Sequence, residues 1–167
     1  MQTNSVESIL KKAIFLEHKG RAFYTSVSRN TESPAVRDIF ASMALEEDEH
    51  IRILTEQLKS TSRGDGFASM DLPDKPDEVV TDVMTSRIRG EISGAGYEAA
   101  AISAAMGFEQ QAVEYYQGQA DVASDPEERR MFQWLSDWEK THLELLAGID
   151  RELQEKVWYD QSFWPIY

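Results

Sequence analysis

The chain contains an internal repeat that aligns its two halves without a gap. Shifting the sequence by 92 positions superimposes its chemically distinctive residues: Glu17 on Glu109, Glu47 on Glu139 and His50 on His142. The same shift aligns apolar and structural positions: Ala13 with Ala105, Tyr24 with Tyr116, Pro34 with Pro126, Phe40 with Phe132 and Leu54 with Leu146. The repeat therefore predicts two copies of one supersecondary unit, each with a lone glutamate followed by a Glu-x-x-His motif.

Each copy of the repeat contains two helical patterns joined by a short turn. Apolar residues recur at intervals of three and four over four stretches: residues 5–30, 34–60, 97–121 and 126–156. Ser33 before Pro34 is a favourable helix start, and Asp125 before Pro126 repeats it. Helices of this length extend about 38 Å, so a short turn makes the two members of each pair antiparallel.

The connection between the two pairs, residues 61–96, is rich in Gly, Pro, Asp and Ser. An amphipathic stretch at residues 78–88 predicts a short helix within it. Two antiparallel pairs joined by one long crossover have the topology of a ferritin-like four-helix bundle. We therefore expect an all-α fold, one domain over residues 1–167, and an aromatic C-terminal tail at residues 157–167 that packs across the bundle end or against a second subunit. A partner-docking or membrane-interface role is the alternative for the tail.

The repeated glutamates and histidines have the spacing of metal ligands. Positions i and i+3 lie on one helix face, so Glu47 with His50, and Glu139 with His142, can each converge on one point. The lone glutamates add a carboxylate from each partner helix. Four buried carboxylates are unfavourable unless cations balance them, and two divalent cations do so. This ligand set is that of ferritin-like di-iron and di-manganese proteins, so the pattern predicts a dinuclear centre.

The ligand types and the neighbouring tyrosines refine this prediction. The 167 residues include no cysteine, which excludes thiolate and iron-sulfur chemistry, and carboxylates with imidazoles suit two Fe ions, with Mn or Zn as alternatives. Tyr24 and Tyr116 each lie seven positions, or two turns, beyond a lone glutamate. We predict that both hydroxyls donate hydrogen bonds to ligand carboxylates. We interpret Trp134 and Trp138 as packing residues, and His18 as a surface residue.

Residues 13–24 and 44–50 resemble the rubrerythrin branch of the ferritin-like superfamily, and residues 109–116 and 139–142 repeat the resemblance. The resemblance implies a di-iron centre that reacts with hydrogen peroxide or dioxygen and cycles between diferrous and diferric states. It also implies ligand roles: bridging for Glu47 and Glu139, and terminal for Glu17 with His50 and for Glu109 with His142.

The chain departs from the rubrerythrin pattern at two points. Rubrerythrins usually carry a second domain in which four cysteines hold an electron-delivering iron; without cysteine, turnover here needs an external donor such as a rubredoxin-like protein. They also tend to have a further glutamate three residues after the third-helix ligand, where this chain has Ala112. That glutamate is associated with a redox-linked ligand exchange, so Ala112 either weakens peroxidase behaviour or leaves an open coordination position.

The leading hypothesis is a cytoplasmic, homodimeric, non-haem di-iron oxidoreductase that reduces peroxide or dioxygen. The alternative is a non-enzymatic iron-binding or iron-storage protein, for which the net charge of -13 helps to attract cations. A structural bundle with adventitious zinc is a third reading. The negative charge argues against nucleic acid as a partner, and no window approaches the roughly 18 apolar residues of a membrane span.

Overall fold

The described residues form four long helices: α1 (Val6–Asn30), α2 (Pro34–Ser62), α3 (Tyr97–Val122) and α4 (Pro126–Asp160). The structure, a computed structural model, describes residues 5–74, 87–93 and 96–160, and these contain no strand. The all-α prediction is therefore confirmed. Within the described part of the chain, no helix combines the length and apolar content needed to span a membrane.

Two predicted features lie partly outside the described residues. Of the predicted helix at residues 78–88, only residues 87 and 88 are described, and they belong to a helical stretch at residues 87–91. The aromatic tail was predicted to begin at residue 157, but α4 continues to Asp160, with Trp158 and Tyr159 exposed on it. Residues 161–167 lie outside the described part. The helical period of α4 therefore extends about one turn further than its apolar pattern indicates.

Side-chain caps and a repeated arginine fix the two short turns. The hydroxyl of Ser33 accepts a hydrogen bond from the backbone N–H of Val36 (3.2 Å), and Asp125 Oδ1 accepts from the N–H of Glu127 (2.8 Å). These contacts satisfy N–H groups in the first turns of α2 and α4 that have no partner within the helix. Arg37 and its repeat equivalent Arg129 each donate to the carbonyl of the residue that caps the preceding helix, Thr31 and Ala123.

The apolar core consists of two clusters, one towards each end of the bundle. The first cluster includes the C-terminal half of α1 and the N-terminal half of α2, with Tyr24, Val27, Val36, Phe40, Ile102, Ala105, Leu146 and Leu153. The second includes the opposite halves, with Leu10, Ala13, Ile53, Leu54, Tyr116, Met131, Phe132 and Leu135. On every helix, the predicted ligands lie between the residues of the two clusters.

The repeat shift exchanges these two clusters. Phe40 belongs to the first cluster and its equivalent Phe132 to the second, whereas Leu54 belongs to the second and its equivalent Leu146 to the first. The halves are therefore related by a pseudo-twofold operation centred on the layer between the clusters. The connection also spans the bundle: Phe67 packs on the second cluster, and Ile88 and Ile92 belong to the first. This is the single long crossover of a ferritin-like bundle.

Candidate metal centre

The layer between the two apolar clusters contains all six predicted ligand residues. Each of the four helices contributes to it, and every member is 3% exposed or less: Glu17 from α1, Glu47 and His50 from α2, Glu109 from α3, and Glu139 and His142 from α4. Neither lone glutamate points to solvent. The structure thus brings together the six side chains that the repeat selects.

The six residues form two overlapping groups, within each of which one ligand atom per residue lies within 4.8 Å of the others. One group contains Glu17, Glu47, His50 and Glu139, and the other contains Glu47, Glu109, Glu139 and His142. Glu47 and Glu139 belong to both groups. Each group therefore offers one imidazole nitrogen and three carboxylates, two of which it shares with the other.

The Nδ1 atom of each histidine faces the carboxylates. His50 Nδ1 lies 3.1 Å from Glu17 Oε2, 3.3 Å from Glu47 Oε2 and 3.1 Å from Glu139 Oε1. On the other side, His142 Nδ1 lies 3.1 Å from Glu139 Oε2 and 3.3 Å from Glu109 Oε1. The two rings are 6.4 Å apart between centroids. The nitrogen that faces the shared carboxylates is thus the same atom in both halves.

The two predicted tyrosines donate to carboxylates of the centre, and they do so across the repeat. The hydroxyl of Tyr24 donates to Glu109 Oε1, and the hydroxyl of Tyr116 donates to Glu17 Oε1. Both tyrosines are buried. Each one therefore supports the lone glutamate of the other half, a pairing that the sequence alone does not reveal.

Comparison with known proteins identifies the family at this point. A model of the rubrerythrin family matches residues 8–149. The chain belongs to the rubrerythrin family. Membership suggests a ferritin-like di-iron protein, and the buried glutamates and histidines are compatible with binding metal ions.

One solved structure agrees with this assignment in its fold. A hypothetical protein from Pyrococcus furiosus is similar with a TM-score of 0.63 and 21% sequence identity, over 93% of this chain and 94% of its own. At that identity the likeness shows a common fold. No curated protein matches the chain significantly.

The protonation pattern in this rubrerythrin-family centre reflects the crowding of its charges. Burial, together with Glu139, raises the pKa of Glu109 to about 8, and burial raises the pKa of Glu47 well above its usual value. Burial alone would lower the pKa values of His50 and His142, but the surrounding carboxylates raise both. The same two imidazoles lower the pKa of Glu139 despite its burial. Protons thus balance the carboxylates where cations would otherwise do so.

The hydrogen bonding of two buried polar atoms indicates whether these residues suit a metal. Glu139 Oε1 and His50 Nε2 are buried without a hydrogen-bond partner among the described residues. Unpartnered buried polar atoms are costly in a folded protein. Glu139 Oε1 lies 3.1 Å from His50 Nδ1 but forms no hydrogen bond with it, so this contact is electrostatic and a bound cation would satisfy the oxygen more fully. The donor set of carboxylate oxygens and imidazole nitrogens therefore fits Fe or Mn, in line with the rubrerythrin family.

A small cavity adjoins the centre between α1 and α3. Its volume is about 20 Å³, and its lining includes the ligands Glu17, Glu47 and Glu109 together with Gly20 and Ala112. Gly20 and Ala112 are equivalent under the repeat, so both halves leave space at the same position. A volume of this size accepts about one water-sized molecule. Ala112, where the family tends to carry a glutamate, therefore lies directly beside the centre.

One polar residue at the centre was missed by the sequence analysis. Glu46 Oε2 lies 2.8 Å from His142 Nε2 and accepts a hydrogen bond of 2.7 Å from the indole N–H of Trp138. Glu46 and Trp138 are themselves equivalent positions of the repeat. The repeat has a carboxylate at this position in one half and an indole in the other, and this difference was the sequence signal that could have identified Glu46. Trp134 and Trp138 do pack as predicted, but against the ring of His50.

Proposed function

We propose that this protein is a non-haem di-iron oxidoreductase that reduces hydrogen peroxide or dioxygen with electrons from an external donor. The observation that carries the proposal is the pair of overlapping Glu/His groups, buried and sharing two carboxylates, within a rubrerythrin-family bundle. Two iron ions would supply the redox chemistry by alternating between the ferrous and ferric states.

The residues would divide the binding of two metal ions between them. Glu47 and Glu139, as members of both groups, would bridge the two positions. Each terminal position would then be completed by one glutamate and one histidine: Glu17 with His50, and Glu109 with His142. Four carboxylates would balance the charge of two divalent ions, which makes the pair more favourable in this buried layer than a single ion.

The surroundings of the centre favour a small oxidant. The adjoining cavity of about 20 Å³ has room for a molecule near the size of water. Apolar residues close the layer on both sides, with Leu54 and Leu146 fully buried one turn beyond each histidine. They exclude bulk water from the ligands. The hydroxyls of Tyr24 and Tyr116 hold their protons at Glu109 Oε1 and Glu17 Oε1, because burial, followed by the nearby carboxylates, raises both tyrosine pKa values.

The source of electrons is the second part of the proposal. These 167 residues contain no cysteine, so they offer no thiolate site for an electron-delivering iron in addition to the di-iron centre. We therefore propose a separate reductant, such as a rubredoxin-like protein, that delivers electrons at the protein surface. The protein itself would bind the oxidant and position the metals.

The direct test is to mix protein reconstituted anaerobically with ferrous iron against hydrogen peroxide in a stopped-flow instrument. Ferric absorption should appear within seconds, and excess chemical reductant should sustain repeated peroxide consumption. Glu47→Gln should abolish this reaction. The matched control is Glu49→Gln on the same helix, where the carboxylate pairs with Arg52 at the surface, and this variant should react like the wild type. Absence of oxidation over seconds would contradict the proposal.

Iron storage is the competing function, supported by the net charge of -13. A storage protein needs a closed shell large enough for a mineral, whereas the proposed oxidoreductase would function as a homodimer. Sedimentation velocity separates the two. A dimer that consumes peroxide without accumulating iron beyond its ligand sites supports the enzyme, and a large shell that retains many irons per chain supports storage.

A further inference from the structure

We infer that the two metal positions of the proposed centre are unequal, and that Glu46 makes the position completed by His142 the tighter of the two. This inference rests on the proposed dinuclear site and concerns a residue outside the ligand set. Glu46 acts through His142 and is a positioning residue.

Most contacts around the centre are symmetric and cannot distinguish the two positions. The ligands are matched under the repeat, and each histidine presents Nδ1 to the carboxylates. The two tyrosine hydroxyls are also matched, because Tyr24 donates to Glu109 and Tyr116 donates to Glu17. The matched distances are not all equal, because His50 Nδ1 lies 3.1 Å from Glu139 Oε1 and His142 Nδ1 lies 3.9 Å from the equivalent Glu47 Oε1. The difference in chemistry, however, is on the far side of the histidine rings.

The far sides of the two rings differ in chemistry. Under the repeat, Ser42 and Glu46 on α2 correspond to Trp134 and Trp138 on α4. The far side of each histidine ring contacts the helix pair of the other half. His142 on α4 therefore faces Glu46 on α2, and His50 on α2 faces Trp134 and Trp138 on α4. Two positions, one helical turn apart, thus break the symmetry at the same place.

Behind His142 there is an anchored carboxylate. Glu46 Oε2 lies 2.8 Å from His142 Nε2 and also accepts from the indole N–H of Trp138, while Glu46 Oε1 accepts from the hydroxyl of Ser42 at 3.2 Å. When a metal is bound, a proton on Nε2 that is donated to Glu46 would leave the Nδ1 lone pair available to that metal. Such a carboxylate fixes the orientation and tautomer of a metal-binding histidine and strengthens it as a donor.

Behind His50 there are two indole rings and, among the residues that the structure describes, no such acceptor. The ring centroids of Trp134 and Trp138 lie 5.3 and 5.4 Å from that of His50, at interplanar angles of 82° and 88°. His50 Nε2 has no hydrogen-bond partner in the described part of the chain. Both indole N–H groups are directed elsewhere, to the carbonyl of Pro73 and to Glu46. On its far side, the His50 ring is therefore positioned by packing, whereas its Nδ1 faces the carboxylates as that of His142 does.

The expected consequence is ordered metal loading. Loss of a partner of this kind typically lowers metal affinity by about 10- to 100-fold, so the position at His142 should bind roughly that much more tightly than the position at His50. The first divalent ion should enter beside His142, and the second should complete the site beside His50. Glu46 also brings one further negative charge to the tighter position.

The test uses the fact that the chain has only three histidines. Zn²⁺, which is diamagnetic, is titrated into metal-free protein labelled with ¹⁵N in its histidine rings, and each ring is followed by NMR. The ring of His142 should respond during the first equivalent and that of His50 during the second. His18 is exposed on α1 and should not respond.

Two variants complete the experiment. Glu46→Gln should lower affinity at the His142 position by roughly 10- to 100-fold, so that the two rings respond together, whereas Glu49→Gln should preserve the order. Simultaneous response of both rings in the wild-type protein, or an unchanged order in Glu46→Gln, would overturn this inference but leave the dinuclear centre intact. Failure of both rings to respond to Zn²⁺ would overturn the centre as well.

Discussion

The hydroxyl of Tyr24 on α1 donates a hydrogen bond to Glu109 on α3, across the pseudo-twofold operation that relates the halves. Tyr116 on α3 returns the same contact to Glu17 on α1. Each half therefore supports the ligand of the other half. The two contacts connect α1 to α3 at the level of the centre and make the ligand geometry depend on both copies of the repeat.

Tyr24→Phe and Tyr116→Phe should weaken the protein by similar amounts. Each variant removes a buried hydroxyl that donates to a carboxylate, and hydrogen bonds to charged groups contribute about 1.5–3 kcal/mol. Chemical unfolding of metal-loaded protein measures the loss. Tyr115→Phe is the control, because its hydroxyl donates to the carbonyl of Ile9 away from the ligands. Tyr115→Phe should leave metal affinity unchanged. Losses of unfolding free energy that differ several-fold between Tyr24→Phe and Tyr116→Phe would contradict the symmetric arrangement of the two hydroxyls.

Metal-free protein should lose stability as the pH rises from about 6 to about 8. The pKa of Glu109 is raised to about 8 in the folded state, so folding holds a proton that the unfolded chain releases at lower pH, and stability falls with rising pH. The pKa values of His50 and His142 are also raised. Their stabilising contribution is complete below the unfolded value of about 6.5 and is lost as the pH rises through the folded values.

Thermal unfolding in the presence of a chelator measures this pH effect. Each kcal/mol lost should lower the Tm by about 2–4 °C for a chain of this size. Bound metal replaces the retained protons, so the metal-loaded protein should show little or no decrease over the same pH range. A metal-free Tm that rises between pH 6 and pH 8 would contradict the assigned protonation pattern.

Gly20→Ala should stabilise the fold and slow the reaction with peroxide. A Cβ at this position would lie 3.5 Å from Tyr24 Cε2 and 3.7 Å from the Glu47 carboxyl carbon, which is ordinary contact. Replacing glycine inside a helix gains about 0.5–1 kcal/mol. The added methyl group would occupy part of the small cavity and should slow oxidation on the order of tenfold, equivalent to about 1.4 kcal/mol. Gly118→Ala, in open space on α3, should gain stability without slowing the reaction.

Ala112→Glu should tighten metal binding and destabilise the metal-free protein. Residue 112 lies one turn from Glu109 and lines the cavity, so a carboxylate there can reach the same metal position. Without metal, the added charge is buried and unpaired, which is unfavourable. Competition with a chelator measures the affinity, which should rise by about tenfold or more. Ala112→Gln, of similar shape but neutral, should fill the cavity without this gain; equal affinities for the two variants would contradict an open coordination position.

The helix positions and the six glutamates and histidines that are buried together could be predicted because both follow from periodic spacing. Glu47 with His50 is a local relation on one helix, and the repeat duplicates it with Glu139 and His142. Each lone glutamate also shares its helix face with apolar or small residues, Ala13 and Gly20 for Glu17 and Ala105 and Ala112 for Glu109, which predicts that both glutamates face inwards. Comparison of equivalent positions therefore identified the six residues of the buried layer, but not Glu46 beside it.

The contacts between halves could not be predicted from spacing. A seven-residue interval places Tyr24 on the same helix face as Glu17, yet its hydroxyl reaches Glu109 because α1 and α3 pack side by side. Glu46 could not be predicted in the same way. It precedes Glu47 on α2, so its helix face differs from that of Glu47, and its contact is with His142 on α4. Such pairings depend on the packing of four helices, which no single helical period encodes.

The central claim is that six inward-facing side chains hold two metal ions in one buried layer. The most direct measurement is the iron content per chain of anaerobically reconstituted protein, with Mössbauer spectra recorded after oxidation. We predict two irons per chain in a magnetically coupled pair, and loss of that coupled pair in a His50→Ala, His142→Ala double variant. One iron or fewer per chain, two magnetically isolated irons, or an unaltered spectrum in the double variant would contradict the account.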